Sequence, residues 1–391
     1  MLKRISLQNF KSFGIRQDVP LAPLSVLVGA NNTGKSCFLS LARFLHNALR
    51  GGALKREGGV EAVLHRPPHG NGELVVGWAT EQGEYESRSS LEGDIRQLEE
   101  RLVHHDLGPA WEEDGGFLRF RVKAVIQPPP SARKLFEGLR WARTLAEQGH
   151  EEMKPFEALW SPWVNSRLLR LDTAALGSDT NAIDDEWFPG PVLKDNGQGL
   201  AAVIARWDEE EREPTVDGRA LRSADPRRAA EFRRFVMETI PEVRAVHARA
   251  RPDGGWSLVV EQQNGQEFAG SQVSDGVLAT MGFAAHVFAA PRGGVLFIEE
   301  PENHVHPLRL RALVDMFRRA VRERGCQVLL STHSPVLLNE FRDEADCVLL
   351  FRRSAEGTRV APLTEVPWVR EELATALPGD LMQAGFFAEA P

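Results

Sequence analysis

Three short apolar runs dominate the hydrophobic pattern of the chain: Leu24 to Val28, Val295 to Ile298 and Val328 to Leu330. Each is too short for a helix and stops abruptly at glycine or polar residues, the pattern of strands buried on both faces. Elsewhere the spacing turns helical, after the first run through Phe38, Leu39, Leu41 and Ala42, and ahead of the second through Ala279, Met281 and Phe283. Leu200 to Trp207 and Arg227 to Ile240 read as two more helices, and Val243 to Phe268 as two or three antiparallel strands. Arg167 to Thr173 and Cys347 to Phe351 each read as one strand. Leu91, Ile95, Leu98 and Leu102 fall at helical spacing, Phe117 to Val122 reads as a strand, and Pro128-Pro129-Pro130 introduces another amphipathic helix. Proline and glycine between Gly51 and Gly72 mark a connecting loop. The expected organisation is α/β: a first lobe over 1–85, a mainly helical insertion over 86–165, a second lobe over 166–362 and a helical tail over 363–391.

Composition adds bounds. A chain of 391 residues suits roughly two domains. No stretch of about 18 apolar residues occurs and no basic-then-apolar leader opens the chain, so a cytoplasmic protein without membrane contact is expected. The three cysteines, Cys37, Cys326 and Cys347, sit in apolar segments without C-x-x-C spacing and read as reduced core thiols. A net charge of −8 disfavours a protein coated in nucleic acid but permits a local basic groove. Arginines cluster at Arg219 to Arg234, at Arg244 to Arg251 and at Arg309 to Arg324; solvated helix faces and phosphate contacts both account for them.

The chemistry sits where the apolar runs end. Residues 29 to 36, Gly-Ala-Asn-Asn-Thr-Gly-Lys-Ser, complete a G-x-x-x-x-G-K-[ST] phosphate loop between a strand and a helix, aiming backbone N–H groups and the positive helix end at one anion. Gly29 and Gly34 permit close approach, Lys35 reaches the outer phosphates, and the Ser36 hydroxyl ligates magnesium. Asn31, Asn32, Thr33 and Cys37 complete the cradle. Val273-Ser274-Asp275-Gly276 opens a second anion-receptive helix start. The run Val295 to Ile298 ends in Glu299 and Glu300: Glu299 is placed as a metal ligand, Glu300 to orient or deprotonate a water. The run ending in Ser331-Thr332-His333 offers a histidine to the γ-phosphate.

These motifs in this order resemble the ATP-binding-cassette ATPase head of the branch that includes RecF, SMC proteins and the overcoming-lysogenization-defect (OLD) family. The resemblance matches Gly29 to Ser36 to Walker A, Ser274-Asp275-Gly276 to the signature motif, Glu299-Glu300 to Walker B with its catalytic glutamate, and His333 to the switch histidine. Leu2 to Phe13 resembles the first strand and turn of such heads, bringing Lys11 and Ser12 toward the nucleotide. Two departures, Glu299 for the usual aspartate, as is common in the OLD-like subgroup, and Val-Ser-Asp-Gly for Leu-Ser-Gly-Gly, point away from membrane transporters.

The resemblance implies a two-lobed P-loop head with a mixed sheet, ATP and Mg2+ as cofactors, and a homodimer or higher oligomer in which Ser274 of one copy completes the ATP site of another. The chain after His333 is short for the Toprim nuclease domain of OLD nucleases and lacks its Asp-x-Asp pair, Asp343 and Asp346 being the nearest acids, so a separate nuclease or toxin is the expected effector. Three functions stay open: an ATP switch serving anti-phage defence, a RecF-like repair ATPase on DNA, and a nucleotide-gated scaffold with negligible turnover. Glu302, His304 and His306 read as an interface loop, and Trp141, Trp160 and Trp163 as packed core or as base-stacking groups.

Overall fold

The computed structural model of the chain describes residues 1–49, 63–70, 72–90, 96–114, 117–120, 125–126, 136–180, 184–185, 188–191, 193–212, 215–216, 219–220 and 227–387. The main elements in chain order are β1 (Leu2–Gln8), β2 (Gln17–Pro20), β3 (Leu24–Val28), α1 (Lys35–Leu49), β4 (Glu73–Thr80), β5 (Gly83–Ser90), β6 (Arg96–His104), α2 (Glu137–Glu147), α3 (Glu157–Val164) and β7 (Arg167–Leu169). They continue with α4 (Leu200–Arg212), α5 (Arg227–Thr239), β8 (Val243–Ala250), β9 (Trp256–Gln262), β10 (Glu267–Ala269), α6 (Asp275–Ala289), β11 (Val295–Glu299), α7 (Pro307–Arg324), β12 (Gln327–Ser331), β13 (Val348–Ser354) and β14 (Gly357–Pro362). Among the described residues no helix is long and apolar enough to cross a membrane.

The chain divides into two compact units, Met1–Leu168 with Arg292–Glu299 and Arg324–Pro391, and Leu169–Pro291 with Glu300–Glu323. Among the described residues the first unit holds two large sheets and a small one of Trp111–Asp114, Phe117–Phe120 and Val125–Ile126. One large sheet runs β2-β1-β4-β5-β6 and ends in the short strand Gly108–Pro109, with antiparallel neighbours, and the second runs β7-β11-β12-β3-β13-β14. In the second sheet β11, β12, β3 and β13 are parallel, and β14 turns back antiparallel at the edge. The three apolar runs are its central strands. Every residue of β3 and β12 is buried, because the strands are covered on both faces and an alternating pattern would strand polar groups in the core. A chain of rings joins the two sheets: Tyr85 packs on Trp78 at 4.3 Å, Trp78 meets Trp163 edge-on at 5.2 Å, and Trp163 stacks on Phe297 at 6.0 Å. Trp160 and Trp163 are therefore core, each side chain contributing roughly 1.5–3 kcal/mol by burial, whereas Trp141 is exposed.

The second unit packs α4 and α5 with the antiparallel sheet β8-β9-β10 and with α6, whose residues Val277 to Phe288 are buried without interruption. A helix apolar on every side is a core helix. Of the two or three antiparallel strands expected between Val243 and Phe268 the chain forms three, the last ending at Ala269.

The segment over 86–165 differs from the mainly helical expectation. Residues 96–104 form a strand, not a helix; residues 91–95, with Leu91 and Ile95, lie outside the described residues. Leu98 and Leu102 are four apart, a spacing that returns to one face in a strand as well as in a helix. The tertiary context decides: β6 pairs with β5, Leu102 is buried, and Glu100 accepts hydrogen bonds from Tyr85 Oη and from the Gly138 and Leu139 N–H groups at 2.8 Å each. Strands also occupy Trp111–Asp114 and Phe117–Phe120, so among the described residues the segment is mixed, with α2 and α3 as its helices. The expected boundary at residue 85 falls inside β5, which continues the sheet begun by β1. Pro128 to Pro130, and residues 51–62 and 71 of the loop expected from Gly51 to Gly72, also lie outside the described residues. The strand expected over Arg167 to Thr173 is shorter, Arg167–Leu169, and Thr173 already opens a short helix capped by Asp172.

Candidate nucleotide-binding site

The parallel order brings the ends of three strands to one edge of the central sheet. Glu299 pairs with Ser331, Ser331 with Leu27, and Val28 with Leu350, so the loop after β3, the carboxylate ending β11 and the turn after β12 that carries His333 share that edge. In open α/β sheets ligands bind outside the carboxyl ends of such strands.

The loop after β3 needs its glycines. Gly29 has φ +142° and Gly34 φ +105°; a Cβ on Gly29 would run into the Phe351 carbonyl oxygen, and one on Gly34 into Thr358 Oγ1. Asn32 is left-handed at φ 63°, a conformation asparagine tolerates better than most residues. Thr33 Oγ1 donates to the Ala30 carbonyl at 2.8 Å, tightening the turn. Lys35 opens α1, and its Nζ donates to the Gly29 and Ala30 carbonyls at 2.8 and 2.9 Å. Asn31, Asn32 and Ser36 are exposed and Cys37 half-buried, so the mouth of the loop is open to solvent. Lys11 and Ser12 flank it: Lys11 Nζ donates to Ser40 Oγ at 2.7 Å in the second turn of α1, and Thr358 Oγ1 lies 2.9 Å from Ser12 Oγ.

This cradle fits a phosphate. Close-approach glycines, N–H groups at a helix start with no carbonyl four residues back to receive them, and a lysine amine that donates to loop carbonyls form a donor set that anionic oxygens satisfy. The Ser36 hydroxyl and the Glu299 carboxylate are both partly or fully exposed hard oxygen donors of the kind magnesium takes.

Glu300 follows Glu299 with φ 44° and ψ 62°. A left-handed glutamate is uncommon and costs about 1–3 kcal/mol, strain that concentrates at functional sites. Its Oε2 accepts from Asn303 Nδ2 at 2.9 Å. His333 is half-buried, and Ser334, next to it, caps the helix Pro335–Asn339 by accepting from the Leu337 N–H at 3.2 Å.

In the second unit Ser274 is the N-cap residue of α6. Its carbonyl accepts from Val277 and Leu278 at 3.0 Å, while its exposed hydroxyl makes no capping bond. Asp275 is exposed beside it. Gly276 is half-buried where α6 passes the loop before α7: a Cβ there would sit 3.2 Å from the His304 carbonyl oxygen. The start of α7 is tied by Arg309 to Glu242 at 2.5 Å, and His306 Nδ1 accepts from the Leu308 N–H at 3.3 Å.

Residues 176–339 match the family described as "AAA domain, putative AbiEii toxin, Type IV TA system", a span that holds Ser274, Glu299, Glu300 and His333. An SMC head solved bound to the C-terminal winged-helix domain of ScpA is similar to the chain at TM-score 0.53 and 13% identity, covering 94% of this chain and 99% of that one. The Pyrococcus furiosus SMC head with an extended coiled coil, bound to the C-terminal domain of ScpA, gives TM-score 0.51 and 12% identity over 96% and 99%. The fold is that of an ABC-type P-loop ATPase head. No curated protein matches the sequence.

In this head the motif residues were legible from local sequence, but two structural features of the site were not. Thr358, which contacts the phosphate loop, stands 325 residues from Thr33 and carries no motif. Asn9, fully buried, clips the turn after β1 in place by donating to the His69 and Glu73 carbonyls at 3.0 and 2.8 Å and accepting from the His69 N–H at 2.8 Å. Its position just before Phe10-Lys11-Ser12 was the available signal.

Proposed function

We propose that the head binds Mg·ATP on Gly29 to Ser36 and hydrolyses it as a switch. The observation that carries this reading is the shared sheet edge, where the loop closed by Lys35, the Glu299 carboxylate and the His333 turn come from three parallel neighbours. Lys35 exchanges the Gly29 and Ala30 carbonyls for phosphate oxygens, and Asn31 to Cys37 supply the surrounding N–H groups. Ser36 and Glu299 would hold a magnesium ion, which would supply charge neutralisation on the phosphates. Glu300 accepts a proton from the water that attacks the γ-phosphorus, the β–γ bridging oxygen leaves with ADP, and His333 donates to the departing phosphate. Ser274, Asp275 and Gly276 of a second copy complete the site, so that ATP holds two heads together and hydrolysis releases them.

The purpose we infer is control of a separate nuclease or toxin in anti-phage defence, in the manner of the OLD-like subgroup. The toxin–antitoxin wording of the matching family supports it, and the ScpA-bound SMC heads support a protein partner docked on a head of this fold. The decisive experiment is the mass in solution of the wild type and of Glu300→Gln, with and without Mg·ATP, beside phosphate release with and without DNA. ATP-driven assembly with release of phosphate upholds the switch. Constitutive assembly without turnover replaces it with a scaffold, and strong stimulation by DNA alone favours a repair ATPase.

A further inference from the structure

Thr358 lies in β14, remote from the phosphate loop in sequence and against it in space. Its Oγ1 stands 2.8 Å from the Thr33 carbonyl oxygen and 2.9 Å from Ser12 Oγ, its N–H donates to the Ser12 carbonyl at 2.7 Å, and the residue is 2% exposed. A hydroxyl carries one proton. The Thr33 carbonyl can only accept, so Thr358 gives its proton there, and at the second contact the Ser12 hydroxyl donates to Thr358. The Ser12 proton is thus committed to Thr358.

The consequence lies in the peptide between Thr33 and Gly34. That peptide is planar and trans, so its C=O and its N–H point in opposite directions. Fixing the Thr33 carbonyl on Thr358 therefore fixes the Gly34 N–H on the other side of the peptide, away from β14. Glycine at 34 has no Cβ to resist rotation of this peptide, so the orientation depends on the hydroxyl that holds it. The same missing Cβ makes room for Thr358, since a Cβ on Gly34 would run into Thr358 Oγ1 and stand 2.5 Å from Ser12 Oγ.

We propose that Thr358 is a positioning residue for nucleotide binding: its hydroxyl holds the Thr33–Gly34 peptide with the N–H turned toward the phosphates, and its bond to Ser12 is given up when Ser12 turns to the nucleotide. This rests on the reading of Gly29 to Ser36 as an ATP site. Thr358 is buried and acts through the loop backbone.

The test uses the full chain with Thr358→Val, which keeps the shape and removes the hydroxyl, and Thr358→Ser, which keeps the hydroxyl. Binding is read with a fluorescent ATP analogue and magnesium, turnover by phosphate release. Thr358→Val weakens binding about tenfold, the worth of one buried hydrogen bond, and raises KM while kcat stays within about twofold; Thr358→Ser restores both. A purely structural role gives a lower thermal transition and a smaller active fraction at unchanged Kd, which overturns the proposal. Should Thr358→Val fail to fold, Thr358→Cys carries the test: a weak thiol donor gives a Kd clearly above that of the serine variant, and equal values overturn the proposal. A wild type that binds ATP while every variant binds alike removes Thr358 alone, whereas a wild type that binds no ATP removes the nucleotide reading and Thr358 with it.

Discussion

Lys35 Nζ donates to the carbonyl oxygen of Gly29 at 2.8 Å, so the loop that begins at Gly29 is closed on itself by the lysine near its other end. The amine is desolvated against two carbonyl dipoles, and a phosphate offers it a full opposite charge instead. Lys35→Ala removes both the closure and the cation. Affinity for Mg·ATP is expected to fall by about 30-fold or more, matching roughly 2–3 kcal/mol for charge-assisted hydrogen bonds. Titration calorimetry checks it, with circular dichroism to confirm the fold; a variant binding within about threefold of wild type removes Lys35 from the phosphate contacts.

Glu300 is the second point of leverage. Its left-handed backbone presents the carboxylate at a turn that Asn303 braces at 2.9 Å, and the amide oxygen of glutamine can still accept that hydrogen bond, though more weakly. Glu300→Gln therefore preserves the turn while removing the proton acceptor. Turnover is expected to drop at least about tenfold with ATP affinity unchanged, and the ATP-bound assembly to persist. Single-turnover phosphate release measures this directly; a rate within about twofold of wild type would transfer the base role to another residue.

The phosphate loop, the two carboxylates and the histidine were legible because each is a local pattern: an apolar strand of four or five residues ending in a particular set of polar groups. Local pattern also misled. Leu98 and Leu102 satisfy helix and strand alike, and only the pairing of β6 with β5 settles the element. What local sequence could not show is closure between distant segments. Thr358 reaches Thr33 because β14 folds back beside β13, and β13 lies next to β3; that adjacency is a property of the sheet order, carried by no residue near position 358. The strain at Glu300 is hidden in the same way, since nothing in a Glu-Glu pair announces a positive φ.

Acid should weaken the sheet β2-β1-β4-β5-β6 of the first unit. There Glu86 accepts from Arg16 Nη2 at 2.7 Å and from Arg88 Nε at 2.8 Å. Burial alone would raise the Glu86 carboxyl, but the bonds from Arg16 and Arg88 outweigh it and hold the group below its ordinary value of 4.5. Asp18 is lowered likewise, burial being outweighed by its bonds from Ser6 and Arg16. A carboxylate depressed in the folded chain contributes stability that is complete above its unfolded pKa and disappears as pH falls through the folded value. The pair is half-exposed, so the gain is of the order of 1 kcal/mol at most. Thermal melts of wild type and Glu86→Gln should differ by a constant amount near neutral pH, and the difference should shrink as pH falls below the ordinary carboxylate value. A gap that grows in acid contradicts the assignment.

The exposed hydroxyl of Ser274, unused as a cap at the start of α6, leads to a test of where each half of the site comes from. If Ser274 serves the loop of its own chain, two defective variants cannot help each other. If it serves a second copy, they can. Lys35→Ala lacks the lysine amine and Ser274→Arg lacks the hydroxyl, and each should be inactive alone. In a two-fold dimer the mixed pair contains one site with the Lys35 of one copy and the Ser274 of the other, and a second site carrying both defects. With random pairing, half of the dimers are mixed and each has one working site of two, so an equimolar mixture should regain about a quarter of the wild-type phosphate release per head. Recovery near that level, lost on dilution below the dimer's dissociation constant, places Ser274 across the interface. No recovery, with mixed dimers demonstrated by mass, confines the ATP site to one chain and removes ATP as the link between heads.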